Sequence, residues 1–300
     1  MLDELRNLVA RYSVEGSTQS PVPRLTLHRS AHPTEPVQVL HRPALCIVLQ
    51  GGKCAFLGKR VFAYDPKTYL ILSVELPLTS AVVEANRGRP YLGMSLAFER
   101  SILSPLILEV DAAAPAKPLT AGLTQSPLGA DLLDPLLRFL RLLDRPADIR
   151  FLAPLIEREI LFRLLRGPQA SVLCQIATAG GRAVRIERAT TWIKENHAEP
   201  IRIEALADLA SMSPSAFHQH FKTLTTMSPV QYQKQIRLQE ARRLMISGQF
   251  DMARIGFAVG YGSPSQFSRE YRNAFGTTPK RDAVRLRFGG HQREVGTPDL

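Results

Sequence analysis

Ser213-Pro214-Ser215-Ala216-Phe217 and, fifty residues further on, Ser263-Pro264-Ser265-Gln266-Phe267 are two copies of one pattern. The same offset pairs Phe221-Lys222 with Tyr271-Arg272 and Ser228-Pro229 with Thr278-Pro279. A repeat of this length marks a duplicated supersecondary unit, and two copies are too few for a solenoid. Each copy reads as helix–turn–helix. In the first, Ile203–Ala210 is a short amphipathic helix and Ser211-Met212 a turn. Ser213 then serves as N-cap and Pro214 takes the first helical position, where its missing N–H is not needed. The helix that follows sets Phe217, Phe221 and Leu224 on one stripe. Ser215, Ala216, His218, Gln219 and Lys222 are left on the other side, small, polar or basic, as a groove-reading face requires. In the second copy Ala253–Val259 precedes a turn at Gly260–Gly262. Ser263 caps, and Phe267, Tyr271 and Ala274 are expected inward. Ser265, Gln266, Ser268, Arg269 and Arg272 are expected outward.

Between the copies, Ser228–Ser247 reads as a single helix spanning about 27 Å. With the offset at each end, it would set the two units about 34 Å apart, one turn of DNA. Two amphipathic helix pairs packed for stability alone would share part of this pattern. The duplicated cap, the bare polar faces and the charge argue for DNA reading instead. The 300-residue chain carries a formal +11, of which +7 falls on residues 181–300 and only +4 on the longer remainder. A basic carboxyl-terminal third suits a polyanionic partner.

Upstream the texture differs. Short apolar runs at 44–49, 53–57, 60–64, 69–74, 80–84 and 91–98 are punctuated by Gly, Pro, Asn and Asp, the signature of a sandwich or small barrel. From about residue 100 the pattern turns helical, with leucine-rich stretches at 131–144 and 154–166. These stretches either pack on the barrel or form a dimerisation surface. No run approaches the length of a membrane span, and three cysteines without an export signal suit reduced thiols in the cytoplasm.

Chemistry-bearing residues are sparse. His28, His32 and His41 lack the tight spacing of a barrel metal site, so no metal and no cofactor is expected. His218 and His220 stand two apart on a helix and share no face. Gly51-Gly52 is a turn. Cys46 and Cys54 are either small buried hydrophobes or candidate effector-sensing thiols, Cys54 because Lys53 adjoins it and would favour the thiolate. Cys174 receives no role. A catalytic barrel fused to a DNA-binding tail would need convergent ligands or a nucleophile–base pair. A nucleic-acid coat protein would show little sequence preference.

The stretches LADLASMSPSAFHQHFK, SPVQYQKQIRLQEARRLM and FAVGYGSPSQFSREYRNAFGTTP resemble the DNA-binding domain of AraC/XylS-type regulators. RPALCIVLQGGK, DPKTYLILSVELP and REILFRLLRGP resemble one amino-terminal domain type of that family. The resemblance implies an α+β chain that is not an enzyme: a cupin-like barrel with helices over 1–166, a linker at 167–181, a DNA-binding domain at 182–287 with helix–turn–helix units at 203–224 and 253–275, and a flexible tail at 288–300. It implies a promoter-binding regulator, with RNA polymerase, a small-molecule effector and a second copy of the chain as partners. Ser215, Ala216, His218, Gln219, Ser265, Gln266, Ser268 and Arg269 then become base readers, and Lys222 and Arg272 phosphate contacts. Three positions depart from the family pattern. Thr226 replaces a glycine, so that turn is expected to close differently. Gly256 replaces an alanine, a loss of about 1 kcal/mol. Ala216 offers only a methyl group to a base.

Overall fold

The computed structural model describes residues 1–57, 60–110, 122–177, 181–247 and 251–291, with the side chains of 247 and 286–291 excepted. Among the described residues ten strands form two antiparallel sheets. The first has the order β1 (Gly16–Gln19), β2 (Leu25–Ser30), β9 (Tyr91–Ala97), β4 (Ala44–Gln50), β7 (Thr68–Leu72), β10 (Leu123–Pro127). The second runs β3 (Val37–His41), β8 (Leu76–Glu84), β5 (Gly52–Leu57), β6 (Arg60–Tyr64). The chain crosses between sheets at Gly51, whose φ of +76° and position forbid a side chain: a Cβ there would lie 2.2 Å from the Glu84 carbonyl oxygen. The result is the cupin-like barrel.

Helices α1 (Leu2–Tyr12), α2 (Arg100–Glu109), α3 (Ala130–Arg141), α4 (Pro146–Leu165) and α5 (Ala170–Ala177) cover the larger sheet. Leu5, Leu8 and Val9 of α1 recur at helical spacing and are buried in the same core as Leu136, Phe139 and Leu140 of α3. Helix α5 corrects an expectation. The segment 167–181, read as a linker, contains a helix because Val172, Leu173, Cys174 and Ile176 are buried in that core. The Arg100 guanidinium and the Ser104 hydroxyl of α2 donate to the carbonyls of Ile176 and Ala177 at its end.

Among the described residues seven helices follow: α6 (Arg182–Glu195), α7 (Ile203–Leu209), α8 (Pro214–Thr225), α9 (Pro229–Ser247), α10 (Met252–Ala258), α11 (Pro264–Phe275) and α12 (Pro279–His291). Helix α12 continues through 288–291, where a flexible tail was expected; the rest of that tail, 292–300, lies outside the described residues. The core of the first helix–turn–helix unit stacks Phe217, Phe221 and Tyr232, with ring centroids 5.4 and 5.5 Å apart. The second stacks Tyr261, Phe267 and Tyr271 at 5.4 and 5.6 Å. Ala274, expected inward, is exposed. Phe275 takes its place, its ring 4.5 Å from Tyr271 and beneath the Arg242 guanidinium, because a ring one residue on buries more surface than a methyl.

Thr226 supplies another correction. It adopts φ +60° and its N–H donates to the Lys222 carbonyl at 2.8 Å. Gly276 does the same in the second unit, with φ +68° and a 2.8 Å bond to Arg272. The two turns therefore close alike, and the threonine bears the strain of a left-handed conformation. Its hydroxyl oxygen is buried without a hydrogen-bond partner.

The barrel and the first helix–turn–helix unit share one apolar cluster, in which Leu72, Val74 and Leu76 join Leu224 and Tyr232. The Gly122 N–H donates to the Leu224 carbonyl at 2.8 Å, and a Cβ on Gly122 would lie 2.6 Å from that oxygen. Lys194 pairs with Glu75 at 2.8 Å, and Arg100 with Glu187. The core of the second unit is a separate cluster built on Leu238, Ala241, Met245, Ile255 and Phe267. The first unit is thus fastened to the barrel, and α9 carries the second.

Candidate nucleic-acid interface and barrel cavity

Helices α8 and α11 start in the same way. The Ser213 hydroxyl accepts the Ala216 N–H at 3.3 Å and the Ser263 hydroxyl accepts the Gln266 N–H at 3.2 Å, each with proline at the first helical position. Each cap fixes the helix start, which fixes the phase of everything after it. In α8 the buried side is Phe217, Phe221 and Leu224. Ser215, His218, Gln219 and Lys222 are exposed and Ala216 is half-buried. In α11 Phe267 and Tyr271 are buried, while Ser265, Gln266, Ser268, Arg269 and Arg272 are exposed. Gln266 reaches Glu270 at 3.4 Å, a contact along its own helix. All ten expected DNA-facing residues thus lie on two capped helices, nine of them exposed. The units flank α9, whose 19 residues span about 28 Å.

A second candidate site lies inside the barrel. A cavity of about 70 Å³ sits between the sheets, lined by His28, His41, Cys46, Lys53, Tyr64 and Tyr91 together with apolar side chains of β4, β5, β7, β8 and β9. The His28 ring hydrogen-bonds Ser17 at 3.0 Å and Ser95 at 2.9 Å. The His41 Nε2 is buried with no partner. Burial, reinforced by the charge of Lys53, pushes the two imidazoles down to about 3 and about 4. Burial also pushes the Cys46 thiol up to about 11, outweighing the opposing pull of Lys53.

The family description "AraC-type transcriptional regulator N-terminus" matches residues 21–172, and a helix-turn-helix domain description matches 206–283. The chain belongs to the AraC family of transcriptional regulators. Over 149 residues it is 30% identical to the HTH-type transcriptional activator RhaS of Salmonella schwarzengrund, covering 48% of this chain and 53% of that one. Over 159 residues it is 26% identical to the HTH-type transcriptional regulator ArgR of Pseudomonas aeruginosa, covering 53% and 48%. The chain spans about half the length of the curated relatives it matches. Its fold resembles that of ToxT from Vibrio cholerae O395, with a TM-score of 0.57 at 10% identity over 87% of this chain and 97% of that one. An unsaturated fatty acid-bound ToxT from strain SCE256 aligns with a TM-score of 0.55 at 10% identity, over 87% and 94%.

In this AraC-family chain the two candidate thiols are not equivalent. Cys46 lines the cavity with Lys53, whereas Cys54 does not. Successive residues of a strand face opposite ways, so Lys53 and Ala55 of β5 line the cavity while Cys54 lies on the other face. Lys53, expected to act on Cys54, instead shares the cavity with Cys46. Near Cys46, where the lysine does act, burial dominates. Of the three histidines noted in the amino-terminal half, His28 and His41 meet at the cavity and His32 is exposed. Among the described residues no group of three His, Cys, Asp or Glu side chains could hold a metal ion. None of the described helices is long and apolar enough to cross a membrane. Reading the sequence missed Lys53, Tyr64 and Tyr91 as cavity residues. The available signal was a lysine at an inward position of an otherwise apolar strand.

Proposed function

We propose that the protein is a cytoplasmic, sequence-specific regulator of transcription that lays α8 and α11 into successive major grooves of promoter DNA, with RNA polymerase as a further partner. Ser215, Ala216, His218, Gln219, Ser265, Gln266, Ser268 and Arg269 read base edges in this scheme; Lys222 and Arg272 contact phosphates. The observation that carries it is the pairing of two identically capped helices, each with its aromatic stripe buried and its polar face open. The proposal is of a binding protein, without a catalytic role. Selection of bound sequences from random duplexes tests it: two short motifs about one helical turn apart are expected, and a single motif or none would overturn it.

Regulation in this scheme starts at the barrel cavity, the place of a small-molecule effector. Leu72 and Leu78, at the end of β7 and in β8, line the cavity, and Glu75 lies between them in the chain. Glu75 is also the residue that takes Lys194 and Tyr232 from the helical domain. An effector that prefers one arrangement of these strands shifts the population of docked and released DNA-binding units.

The protein pairs with a second copy of itself through α4 in this proposal. That helix buries Ile156, Ile160 and Leu164 in its own core, yet leaves Phe151 and Leu155 69% and 64% exposed. Large apolar side chains at neighbouring exposed positions of one helix suit an interface.

A further inference from the structure

The barrel cavity holds an unbalanced charge. Lys53 stands in its wall, and its side chain makes no ion pair or hydrogen bond with any described residue. Its ammonium lies over the Tyr91 ring, 6.0 Å from the centroid, and its cross-strand neighbour is Tyr64. No acidic side chain lines the cavity. The other titratable groups there are neutral at neutral pH: both imidazoles are held far below it, and the thiol and both phenols are pushed up. Burial correspondingly lowers Lys53 itself. Lys53 is half-buried, and a cation partly withdrawn from water without a counter-charge is costly, so proteins ordinarily supply one. Here neutral groups surround it instead: the phenols of Tyr64 and Tyr91, the hydroxyls of Ser80 and Ser95, and the unpartnered Nε2 of His41.

We infer that the cavity is a receptor for a small organic anion, a short-chain carboxylate whose charged end pairs with Lys53. Tyr64, Tyr91 and His41 are placed to hydrogen-bond its oxygens. Ile47, Leu70, Leu72, Leu78 and Met94 form an apolar remainder for an alkyl tail. At about 70 Å³ the space holds about five water molecules, or an ion of about six non-hydrogen atoms. A long acyl chain exceeds it. The carboxylate returns to Lys53 the charge stabilisation that burial removes, and it reaches the β7 and β8 side chains flanking Glu75. This inference rests on the effector reading above and names the chemistry of the effector.

Thermal melting and calorimetric titration of the full-length protein with sodium acetate, butyrate and hexanoate, against butyramide as the neutral isostere of butyrate, provide the test. Butyrate is expected to raise the melting midpoint with its concentration, butyramide much less, and hexanoate less than butyrate. Lys53→Met is expected to melt no lower than the wild type without ligand, and to lose butyrate affinity by about tenfold or more. Equal stabilisation by butyrate and butyramide in the wild type would overturn the anion site, as would no response to any of the three carboxylates. Undiminished butyrate binding by a folded Lys53→Met variant would do the same. The wild-type comparison decides the matter alone should the variant fail to fold. The two readings fail separately. A neutral compound that binds the cavity and alters DNA affinity would remove the anion and leave the effector. Butyrate bound at Lys53 with no change in DNA affinity would leave the anion site and remove the effector role.

Discussion

The hydroxyl of Tyr232 donates to the main-chain oxygen of Glu75 at 3.1 Å, across the boundary between barrel and helical domain. Tyr232 is fully buried, edge-on to Phe221 of the first recognition helix at 5.5 Å. The Glu75 carboxylate meanwhile holds Lys194 of α6 at 2.8 Å. One residue between two cavity-lining strands is therefore tied to both α6 and α9, which makes it the natural point of coupling. Tyr232→Phe removes one hydrogen bond from a packed site and should cost about 1 kcal/mol in chemical denaturation. Lys194→Met should leave α6 in place but weaken the dependence of DNA affinity on cavity occupancy. Unaltered dependence in both variants would move the coupling elsewhere.

In the proposed scheme the exposed faces of α8 and α11 divide into base readers and phosphate contacts, and the two classes should respond differently. Arg269→Ala should relax choice at one or two base pairs, at about 1–3 kcal/mol for the preferred site. Lys222→Ala should weaken all sequences alike and reduce the salt slope by about one. Quantitative binding to a panel of singly substituted sites separates them. A uniform loss for Arg269→Ala would reassign it to phosphate.

Thr226 holds φ +60° with its hydroxyl oxygen buried and unpartnered, where Gly276 makes the same turn in the second unit without a side chain. Thr226→Gly removes the left-handed strain and the orphaned hydroxyl together and should stabilise the protein by about 1–2 kcal/mol. A lower melting temperature would show that the threonine methyl contributes more to the interdomain packing than its backbone costs.

In the proposed dimer Phe151 and Leu155 of α4 form the self-association surface. Light scattering should find a dimer for the wild type and a monomer for Leu155→Glu, with circular dichroism unchanged because Leu155 lies outside the core. A wild-type monomer at micromolar concentration would remove the dimer.

His28 and His41 give a pH dependence of defined sign. Their folded-state values of about 3 and about 4 lie below the ordinary 6.5, so the unfolded chain takes up protons first as pH falls. Stability present above pH 6.5 should be lost progressively on the way down to about 4 and 3. Melting midpoints measured across that window should fall less steeply in His41→Leu. Identical slopes would mean that His41 protonates readily in the folded protein.

Much of the helical domain was written locally. A serine cap, a proline at the first helical position and aromatic residues three to four apart act over one or two turns, so their repetition at a fixed offset marks two units. The barrel strands were legible for the same reason, since turn residues and β-branched runs are short-range signals. The sequence by itself therefore determined the two-part architecture, the register of both recognition helices and nine of the ten residues expected on their open faces, Ala216 being half-buried. Tertiary packing decided the rest. Helix α5 looked like a linker because Gly167-Pro168 and Gly180-Gly181 bracket it, yet an apolar face that meets a core becomes helix. Gly256 reads as a weak helix residue, but a Cβ there would lie 3.1–3.2 Å from the buried Phe267 side chain, so an alanine would require that side chain to shift by a few tenths of an ångström. Above all, His28, His41, Cys46, Lys53, Tyr64 and Tyr91 come from six strands in two sheets. Only strand register and the closure of one sheet over the other bring them to a single cavity, because such long-range contacts depend on pairings that no short stretch of sequence encodes.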